Sequence, residues 1–295
     1  MLVVDLGQSG SRIRYQDQTI ISKRGKLLGE EVIDSLRAVF SELPTIRTEL
    51  VALSCSGFNG VVKNPQAYGV LCKEFFGADK VAVMDDGLAG YEGALHGQNG
   101  VALTLGGGVV AVGGRNGKFA HRDGLGSTFG DEGGGFWLGK FAIAKALAIR
   151  QGRGEDQAML EYFTEECSAF DALDNKSGSD AATLAINTAR KVLEAADAGI
   201  PTAISIVNEG ALLLAHTVTA SWTGCNGTEA ESPNIVIQGG LAKNASYVEK
   251  ISRQVRSQLP SAIFVNAASD NLDGATWVVQ NLEQDAPPLL MWSGL

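Results

Sequence analysis

The sequence predicts an α/β protein of two similar domains, each built on a mixed β-sheet flanked by helices. Strand and helix patterns alternate along the chain, and the strands are apolar almost throughout, as in 81–84 and 235–237. Each half also opens with a strand, a glycine turn and a second strand. Alternation favours parallel strands covered on both faces, whereas the opening hairpins add antiparallel pairs, so both sheets should be mixed.

In the first half, the pattern predicts strands at 2–6, 12–15 and 19–22, a helix at 27–43, a strand at 50–56, a helix at 65–76, a strand at 80–85 and a helix at 87–96. The helix at 27–43 depends on apolar residues at helical spacing, which are Leu28, Val32, Leu36, Val39 and Phe40. A polar turn at 97–100 marks the boundary between a domain of residues 1–98 and one of residues 99–295.

In the second half, the pattern predicts strands at 101–105, 110–113 and near Phe119, helices at 135–149, 181–198 and 202–222, and then strand 234–238, helix 245–259, strand 262–265 and helix 271–283. Residues 155–220 form a helical insertion with an acidic patch, interpreted as solvated surface, that comprises Glu155, Asp156, Glu161, Glu165, Glu166, Asp171 and Asp174. The last helix, about 271–284, is expected to pack back on the first domain.

Composition narrows the function classes. The chain has 295 residues, of which 45% are hydrophobic, and a net charge of −9. Such an acidic protein is a poor partner for nucleic acid or an anionic membrane, and no continuous apolar run approaches the ~20 residues of a membrane span. The four cysteines are scattered without a CxxC pair, which is typical of a reduced, cytoplasmic protein. The three histidines lack metal-ligand spacing, so no structural zinc is expected. Whether the protein forms a homodimer is a separate question that the sequence leaves open.

The densest chemical signal is the segment 124–135, Gly-Leu-Gly-Ser-Thr-Phe-Gly-Asp-Glu-Gly-Gly-Gly, which runs into a helical pattern. Glycine lets backbone N–H groups converge on an anion, and the helix should offer its first unpaired amides to the same anion. Asp131 and Glu132 lie within this cradle, where they would repel a phosphate unless a cation stood between them. The segment therefore predicts a metal–nucleotide site. A flexible linker is the alternative, and the neighbouring aromatic residues argue against it.

A glycine turn follows the first strand of each half. Asp5 ends one strand before Gly7 and Gly10, so this turn could hold Mg²⁺ through water and meet phosphate oxygens with amides and hydroxyls. The matching turn, Leu-Gly-Gly-Gly-Val at 105–109, suggests close approach of a ligand or another backbone. Taken alone, the first turn favours an ordinary hairpin, and the second is equally compatible with a bulge.

Two further candidate motifs lie at junctions between a predicted strand and the helix that follows it. Asp85 and Asp86 end a buried strand at a position where α/β sheets bind ligands, although an acid there is also a common helix cap. A strand at 234–238 leads to Gly239 and Gly240, where a flat nucleoside could lie against the backbone.

In this order, the pieces resemble the sugar kinase/heat-shock ATPase/actin superfamily, and within it the N-acetylglucosamine kinase and BadF/BadG/BcrA/BcrD ATPase family. The resemblance covers essentially the whole chain and depends on Gly-Asp-Glu-Gly at 130–133, Asp86 before 87–90, the turn 5–10 and the glycines 239–240. It implies two ribonuclease H-like (actin-like ATPase) domains with a nucleotide in the interdomain cleft. It also implies phosphoryl transfer from ATP, with Mg²⁺, to a small sugar, most readily an amino sugar such as N-acetylglucosamine or glucosamine.

The resemblance also implies roles for individual residues. Asp86 would be the general base, and the residues that contact the sugar would be Ser56, Asp86, Gly107 and Asp131. Asp5 would hold Mg²⁺ through water. The nucleotide would be bound by Gly7, Gln8, Ser9, Gly10, Ser11, Gly106, Gly107, Gly108, Gly239 and Gly240. The expected partners are therefore a small-molecule sugar and ATP.

Three positions depart from the family pattern. The second phosphate turn usually reads Ser-Gly-Thr-Gly-Ser, whereas 105–109 lacks both hydroxyls. A Trp common before the Gly-Asp-Glu-Gly segment is Leu125, and the short basic stretch 21–27 has no equivalent of the family's sugar-binding Asn. Two alternatives stay open: a BadF-type ATPase, which would need paired cysteines for a [4Fe–4S] cluster, and a non-catalytic sugar or nucleotide sensor. Retention of Asp5, Asp86 and Asp131 together favours the kinase.

Overall fold

A computed structural model describes residues 1–27 and 29–294. Its elements in chain order are β1 (Leu2–Leu6), β2 (Ser11–Tyr15), β3 (Gln18–Ser22), α1 (Val32–Ser41), β4 (Leu50–Cys55), α2 (Pro65–Phe76), β5 (Lys80–Asp85), α3 (Asp86–Leu95), β6 (Gly100–Leu105), β7 (Val109–Arg115), β8 (Lys118–Asp123), α4 (Gly135–Arg150), α5 (Gln157–Tyr162), α6 (Thr164–Asp171), α7 (Ser179–Asp197), α8 (Pro201–Gly224), β9 (Asn234–Gln238), α9 (Ala245–Gln258), β10 (Ile263–Phe264), α10 (Asn271–Asn281) and β11 (Leu290–Gly294). A single turn of 3-10 helix, Leu241–Lys243, precedes α9.

The strands form two mixed sheets, which confirms the predicted fold class. The first sheet has the order β11-β5-β4-β1-β2-β3, and the second has the order β10-β9-β6-β7-β8. In the first sheet β1, β4 and β5 run parallel, whereas β2 is antiparallel to β1. In the second sheet β6 and β9 run parallel, whereas β7 is antiparallel to β6. Every residue of β1 is buried, as expected for a strand covered on both faces.

The C-terminal segment returns to the first sheet. β11 pairs antiparallel with β5, and α10 packs along α3. Glycine allows the two helices to touch, because a Cβ atom at Gly274 would lie 1.8 Å from the carbonyl oxygen of Ala89. We therefore propose that residues 271–294 form one unit with residues 1–98. Leu295, which the sequence analysis included in the second domain, lies outside the described residues.

A shared core joins the two sheets. It contains buried side chains of α3 and α10, together with strand residues from both sheets, which are Val3, Ala52, Ala82, Met84, Ala102, Val112 and Val236. α3 contacts β4 and β5 on one side and β6 and β7 on the other. The N-terminus of α3, where the candidate acids lie, is therefore fixed against both halves of the molecule.

Helix α1 begins at Val32, whereas the sequence predicted a helix from residue 27. Leu28 lies outside the described residues, and Leu27 is exposed. Gly29 has a φ of 79°, a left-handed conformation that a continuous α-helix cannot contain. The apolar spacing was correct only from Val32 onwards, where Leu36, Val39 and Phe40 are buried.

The helical insertion contains α5 and α6 in the region that the sequence showed only as an acidic patch. The interpretation of this patch as solvated surface is wrong for Asp156 and Glu166, which are partly buried, whereas Asp171 is exposed as expected. Their partners on neighbouring helices are Thr202 for Asp156 (2.9 Å), Lys191 for Glu166 (2.8 Å) and Arg150 for Asp171 (2.7 Å). These contacts fasten α5 and α6 to α4, α7 and α8.

Helix α8 is, within the described part of the chain, the one helix long and apolar enough by length and composition to cross a membrane, with a mean hydropathy of 1.3. The sequence of this helix is not a continuous apolar run, because Glu209 and His216 interrupt it. Its buried side chains, which include Leu214, Val218 and Trp222, pack in the core of the second half.

Glu92 on α3 is a buried acid in the shared core. It is 1% exposed, and its carboxylate accepts a hydrogen bond from the amide of Gly97 (2.8 Å). Burial raises the pKa of Glu92 from 4.5 to about 7. The folded protein therefore binds more protons than the unfolded chain between these two values, and the free energy of unfolding should fall as pH rises through this window.

We expect Glu92→Gln to raise the free energy of unfolding at pH 8 by up to about 3 kcal/mol and to change it little at pH 4. Urea denaturation of both proteins at both pH values measures this difference. Glu249→Gln, at an exposed helical glutamate, is the matched control. An equal change at pH 4 and pH 8 would show that ionisation of Glu92 does not limit stability.

Candidate active site

Asp85 and Asp86 lie side by side where β5 ends and α3 begins. The Asp85 carboxylate accepts hydrogen bonds from the amides of Gly87 (2.9 Å) and Gly60 (3.0 Å), so it caps α3 and holds the loop after β4. Asp86 is the first residue of α3, and its carboxylate accepts a hydrogen bond from the hydroxyl of Ser56. The capping role that the sequence left open for Asp86 therefore belongs to Asp85.

Asp86 has a high proton affinity for a carboxylate. Burial is the largest cause, and together with the neighbouring Asp85 and Asp5 it raises the pKa of Asp86 to about 7, although Ser56 and His121 oppose the rise. A group whose pKa lies near the working pH can accept a proton efficiently. Asp86 thus combines a fixed position with the proton affinity of a general base.

Asp5 is the penultimate residue of β1 and is 8% exposed. Its carboxylate accepts a hydrogen bond from the hydroxyl of Ser54 (3.2 Å) and two from Arg12, through Nε (3.2 Å) and Nη2 (2.7 Å). Arg12 also binds Asp270 (2.6 Å), which caps α10. The charge of Asp5 is therefore compensated by Arg12, which ties the first glycine turn to α10.

The first glycine turn is closed by a hydrogen bond from the amide of Gly7 to the carbonyl of Gly10 (3.0 Å). Gly10 has a φ of 155°, and a Cβ atom there would lie 2.8 Å from the carbonyl oxygen of Ser22. Gln8 and Ser9 form the exposed tip of the turn. Ser11 is buried and donates its hydroxyl to a backbone carbonyl at 2.6 Å. Its hydroxyl is therefore engaged inside the protein, whereas the tip residues face solvent.

The second glycine turn is attached to the N-terminus of α4. The first amides of α4, those of Gly135 and Phe136, donate to the carbonyls of Gly106 (2.9 Å) and Gly107 (2.8 Å). The expectation that these helix amides serve an anion is therefore wrong, because the turn already satisfies them. Across a planar trans peptide, the N–H of a residue points opposite to the preceding carbonyl. The amides of Gly107 and Gly108 are consequently directed away from α4.

Asp131, in the segment that precedes α4, packs against the second glycine turn. Its carboxylate accepts a hydrogen bond from the amide of Val109 (2.9 Å), and a Cβ atom at Gly108 would lie 2.7 Å from its Oδ1. The backbone amide of Asp131 in turn donates to Asp123 (2.7 Å). Burial raises the pKa of Asp131. The neighbouring Glu132 is exposed, so of the two acids in the segment only Asp131 is buried against the turn.

Gly239 and Gly240 follow β9 at the same end of the second sheet. Gly239 has a φ of 100°, and a Cβ atom there would lie 2.3 Å from the carbonyl oxygen of Leu105, which precedes the second glycine turn. A Cβ atom at Gly240 would meet no atom within 4 Å. Gly239 is therefore required by backbone packing, and Gly240 leaves an open backbone surface beside it.

Comparison with known protein families decides where this arrangement belongs. The sequence model of the BadF/BadG/BcrA/BcrD ATPase family matches residues 16–275. The chain belongs to this family. The resemblance stated from the sequence is confirmed, and membership of a family of ATPases implies the use of ATP. A search of curated proteins finds no match.

Solved structures show the same fold. A proposed N-acetylglucosamine kinase from Chromobacterium violaceum matches with a TM-score of 0.65 and 21% identity, covering 95% of this chain and 99% of that one. A proposed N-acetylglucosamine kinase from Porphyromonas gingivalis matches with a TM-score of 0.63 and 15% identity, and the match covers 96% of this chain and 99% of that one. A ROK family glucokinase from Streptomyces griseus, in complex with glucose and AMPPNP, matches with a TM-score of 0.59 and 17% identity. This match covers 93% of this chain and 97% of that one. This BadF-family chain therefore has the actin-like fold of sugar kinases.

Three residues to which the sequence analysis assigned no role of their own lie beside the predicted acids. Asp85 holds the helix that starts with Asp86, Asp123 binds the amide of Asp131, and His121 reaches Asp85 from β8. The sequence signal for Asp85 was the doubled acid at the end of β5. Asp123 and His121 belong to an ordinary edge-strand pattern, so only the fold brings them to the acids.

Proposed function

We propose that this protein is an ATP-dependent kinase that phosphorylates a hydroxyl of a small sugar, most suitably an amino sugar such as N-acetylglucosamine or glucosamine. The observation that carries the proposal is Asp86: a largely buried carboxylate at a helix start, hydrogen-bonded by Ser56, with a pKa of about 7. Structural acids on a protein surface rarely combine these properties, and proton acceptors at active sites commonly do. The sugar-kinase fold and the ATPase family support the same reaction.

At the acceptor end, Asp86 would take the proton of the sugar hydroxyl as the γ-phosphoryl group moves. The hydrogen bond from Ser56 would orient this carboxylate, and Ser56 would also contact the sugar. On the other side, Asp131 is pinned through one oxygen by the amide of Val109, which leaves its second oxygen for a sugar hydroxyl beside Gly107. Positioning and charge compensation, not covalent chemistry, would supply most of the rate.

At the donor end, the two glycine turns would hold the phosphates. The exposed tip at Gln8 and Ser9 offers backbone and side-chain groups, and the amides of Gly107 and Gly108 turn away from α4. These amides replace the hydroxyls that the family turn usually carries. The open backbone at Gly240 would lie against the nucleoside.

ATP reaches such an enzyme as its Mg²⁺ complex. In residues 1–27 and 29–294, no cluster of three or more His, Cys, Asp or Glu side chains could hold a metal ion, so the protein alone offers no cage. A Mg²⁺ ion carried by phosphates needs only one or two carboxylates. Asp5 fits this requirement as an anchor through water. Its carboxylate would then be shared between the hydrated Mg²⁺ ion and Arg12.

The cysteines bear on the location and on one alternative. All four are free and buried. We therefore propose a cytoplasmic location, since a reducing compartment keeps thiols in this state. A BadF-type ATPase with a [4Fe–4S] cluster between two subunits would need accessible cysteines, which these buried thiols do not provide.

A coupled ADP-release assay with Mg·ATP tests the proposal against N-acetylglucosamine, glucosamine, glucose and N-acetylmuramic acid. We expect ADP release to depend on one of the sugars, which would also identify the substrate. Equal slow release with and without every sugar would indicate an ATPase instead of a kinase. ATP binding without any release would indicate a sensor.

The pH dependence of kcat/KM should report the ionisation of Asp86. A base works only when deprotonated, so log kcat/KM should fall with unit slope as pH decreases below about 7. Ser56→Ala removes a hydrogen bond that lowers the pKa of Asp86. The midpoint of the acidic limb should therefore move to higher pH in this variant. A pH-independent rate between pH 5 and pH 8 would exclude Asp86 as the base.

A further inference from the structure

His121 brings an ionisable side chain of the second sheet to the acids of the first. It lies on β8, where only 8% of its side-chain surface is exposed. Its Nε2 atom lies 3.5 Å from Oδ1 of Asp85. Because β8 is the edge strand of the second sheet and Asp85 ends β5 of the first, this contact links the two halves of the protein.

Close packing holds the imidazole in this position. A Cβ atom at Gly60 would lie 2.8 Å from Cγ of His121, and one at Gly124 would lie 3.0 Å from its Cε1. Gly60 belongs to the loop after β4, and Gly124 follows β8. Both glycines have positive φ values, 77° and 67°, which larger residues adopt only with strain. The imidazole ring is therefore packed between two loops, one from each half of the protein, that contain Gly60 and Gly124.

Asp85 transmits this contact to Asp86. Its carboxylate accepts hydrogen bonds from the amide of Gly60 and from the amide of Gly87 in the first turn of α3, and it lies 3.5 Å from Nε2 of His121. Asp86 follows directly in the chain and begins the helix that Asp85 caps. A displacement of Asp85 would therefore move both the Gly60 loop and the Asp86 carboxylate.

We propose that His121 is a positioning residue, which holds Asp85 and thereby fixes Asp86 and the Gly60 loop in the arrangement that proton transfer requires. This inference rests on the proposed function, in which Asp86 is the base. His121 itself acts through Asp85, so its loss should affect the chemical step more than the binding of ATP.

The charged groups that face the cluster come from four elements: Asp5 on β1, Asp85 on β5, Asp86 on α3, and Arg122 and Asp123 on β8. Burial lowers the pKa of His121, although Asp86 and Asp123 oppose this. A ring nitrogen that carries a proton faces the carboxylate of Asp85 as a potential donor. His121 in return lowers the pKa of Asp86, so removal of the imidazole should shift the ionisation of Asp86 to higher pH.

His121→Phe keeps a flat ring between the two glycines but removes the donor. We expect kcat to fall roughly ten- to hundredfold, the acidic limb of kcat/KM to move to higher pH, and KM for ATP to stay the same. His121→Gln restores an N–H donor and should recover most of kcat. His216→Gln, at an exposed histidine on α8, is the matched control and should behave like the wild type. A loss of activity without a shift of the pH midpoint would overturn the inference.

An NMR titration of the imidazoles tests the same coupling without any kinase assay. His121 can be assigned among the three histidines by comparison with His121→Gln, and His96 and His216 serve as internal references. In Asp86→Asn, the titration midpoint of His121 should fall, because a carboxylate that raises it is gone. An unchanged His121 midpoint would overturn the inference. Absence of sugar-dependent ADP release in the wild type would instead overturn the proposed function, and the two failures are therefore distinguishable.

Discussion

Asp86→Asn is expected to reduce sugar-dependent ADP release by roughly 10²–10⁴-fold, which is the contribution of a positioned general base. The amide has nearly the same shape as the carboxylate and can still accept the hydrogen bond of Ser56, but it cannot take a proton from the sugar hydroxyl. The glycine turns that would bind ATP are unchanged. Steady-state kinetics with the substrate sugar, together with calorimetric titration of a non-hydrolysable ATP analogue, separate the two effects.

The matched control is Asp180→Asn. Asp180 also lies in the first turn of a helix, α7, but it is exposed. This variant has the same change of charge in the first turn of a helix but at an exposed acid, so its activity should equal that of the wild type. Full sugar-dependent activity in Asp86→Asn would remove Asp86 from the reaction and leave its high proton affinity without a catalytic use.

Most of the fold could be predicted because its strands and helices carry their own local signals. α2, β5 and β9 have the bounds that apolar patterning predicted. β11 could not be predicted, since the stretch 286–294 has two prolines and no regular alternation of burial. It becomes a strand only because β5 offers an unpaired edge. Its structure therefore depends on tertiary pairing and not on propensity.

The candidate site divides in the same way. Acids at strand ends and glycine turns are local patterns, so Asp5, Asp86 and Asp131 could be selected from the sequence. The partners of the α4 amides could not, because the carbonyls of Gly106 and Gly107 that satisfy them belong to a turn far upstream. His121 was dismissed on metal-ligand spacing alone. Its contact with Asp85 depends on how the two sheets face each other, which no local pattern encodes.

Gly108→Ala is expected to lower kcat/KM for the sugar roughly a hundredfold, because a small misplacement of a catalytic group can have an effect of this size. The new Cβ atom would lie 2.7 Å from Oδ1 and 2.9 Å from Cγ of Asp131. That carboxylate cannot simply rotate away, since the amide of Val109 holds it. Either this hydrogen bond breaks or the turn shifts, and both move Asp131 from the proposed sugar site. Kinetics with the sugar and with Mg·ATP varied separately measure the effect.

Gly106→Ala provides the comparison within the same turn. A Cβ atom at Gly106 would meet no atom within 4 Å, so this variant loses the same backbone freedom without the collision. If contact with Asp131 is what matters, Gly108→Ala should raise KM for the sugar far more than Gly106→Ala does. Equal losses in the two variants would instead mean that the flexibility of the turn, and not the position of Asp131, limits the reaction. Thermal denaturation of both variants shows whether each is folded, which a fair comparison requires.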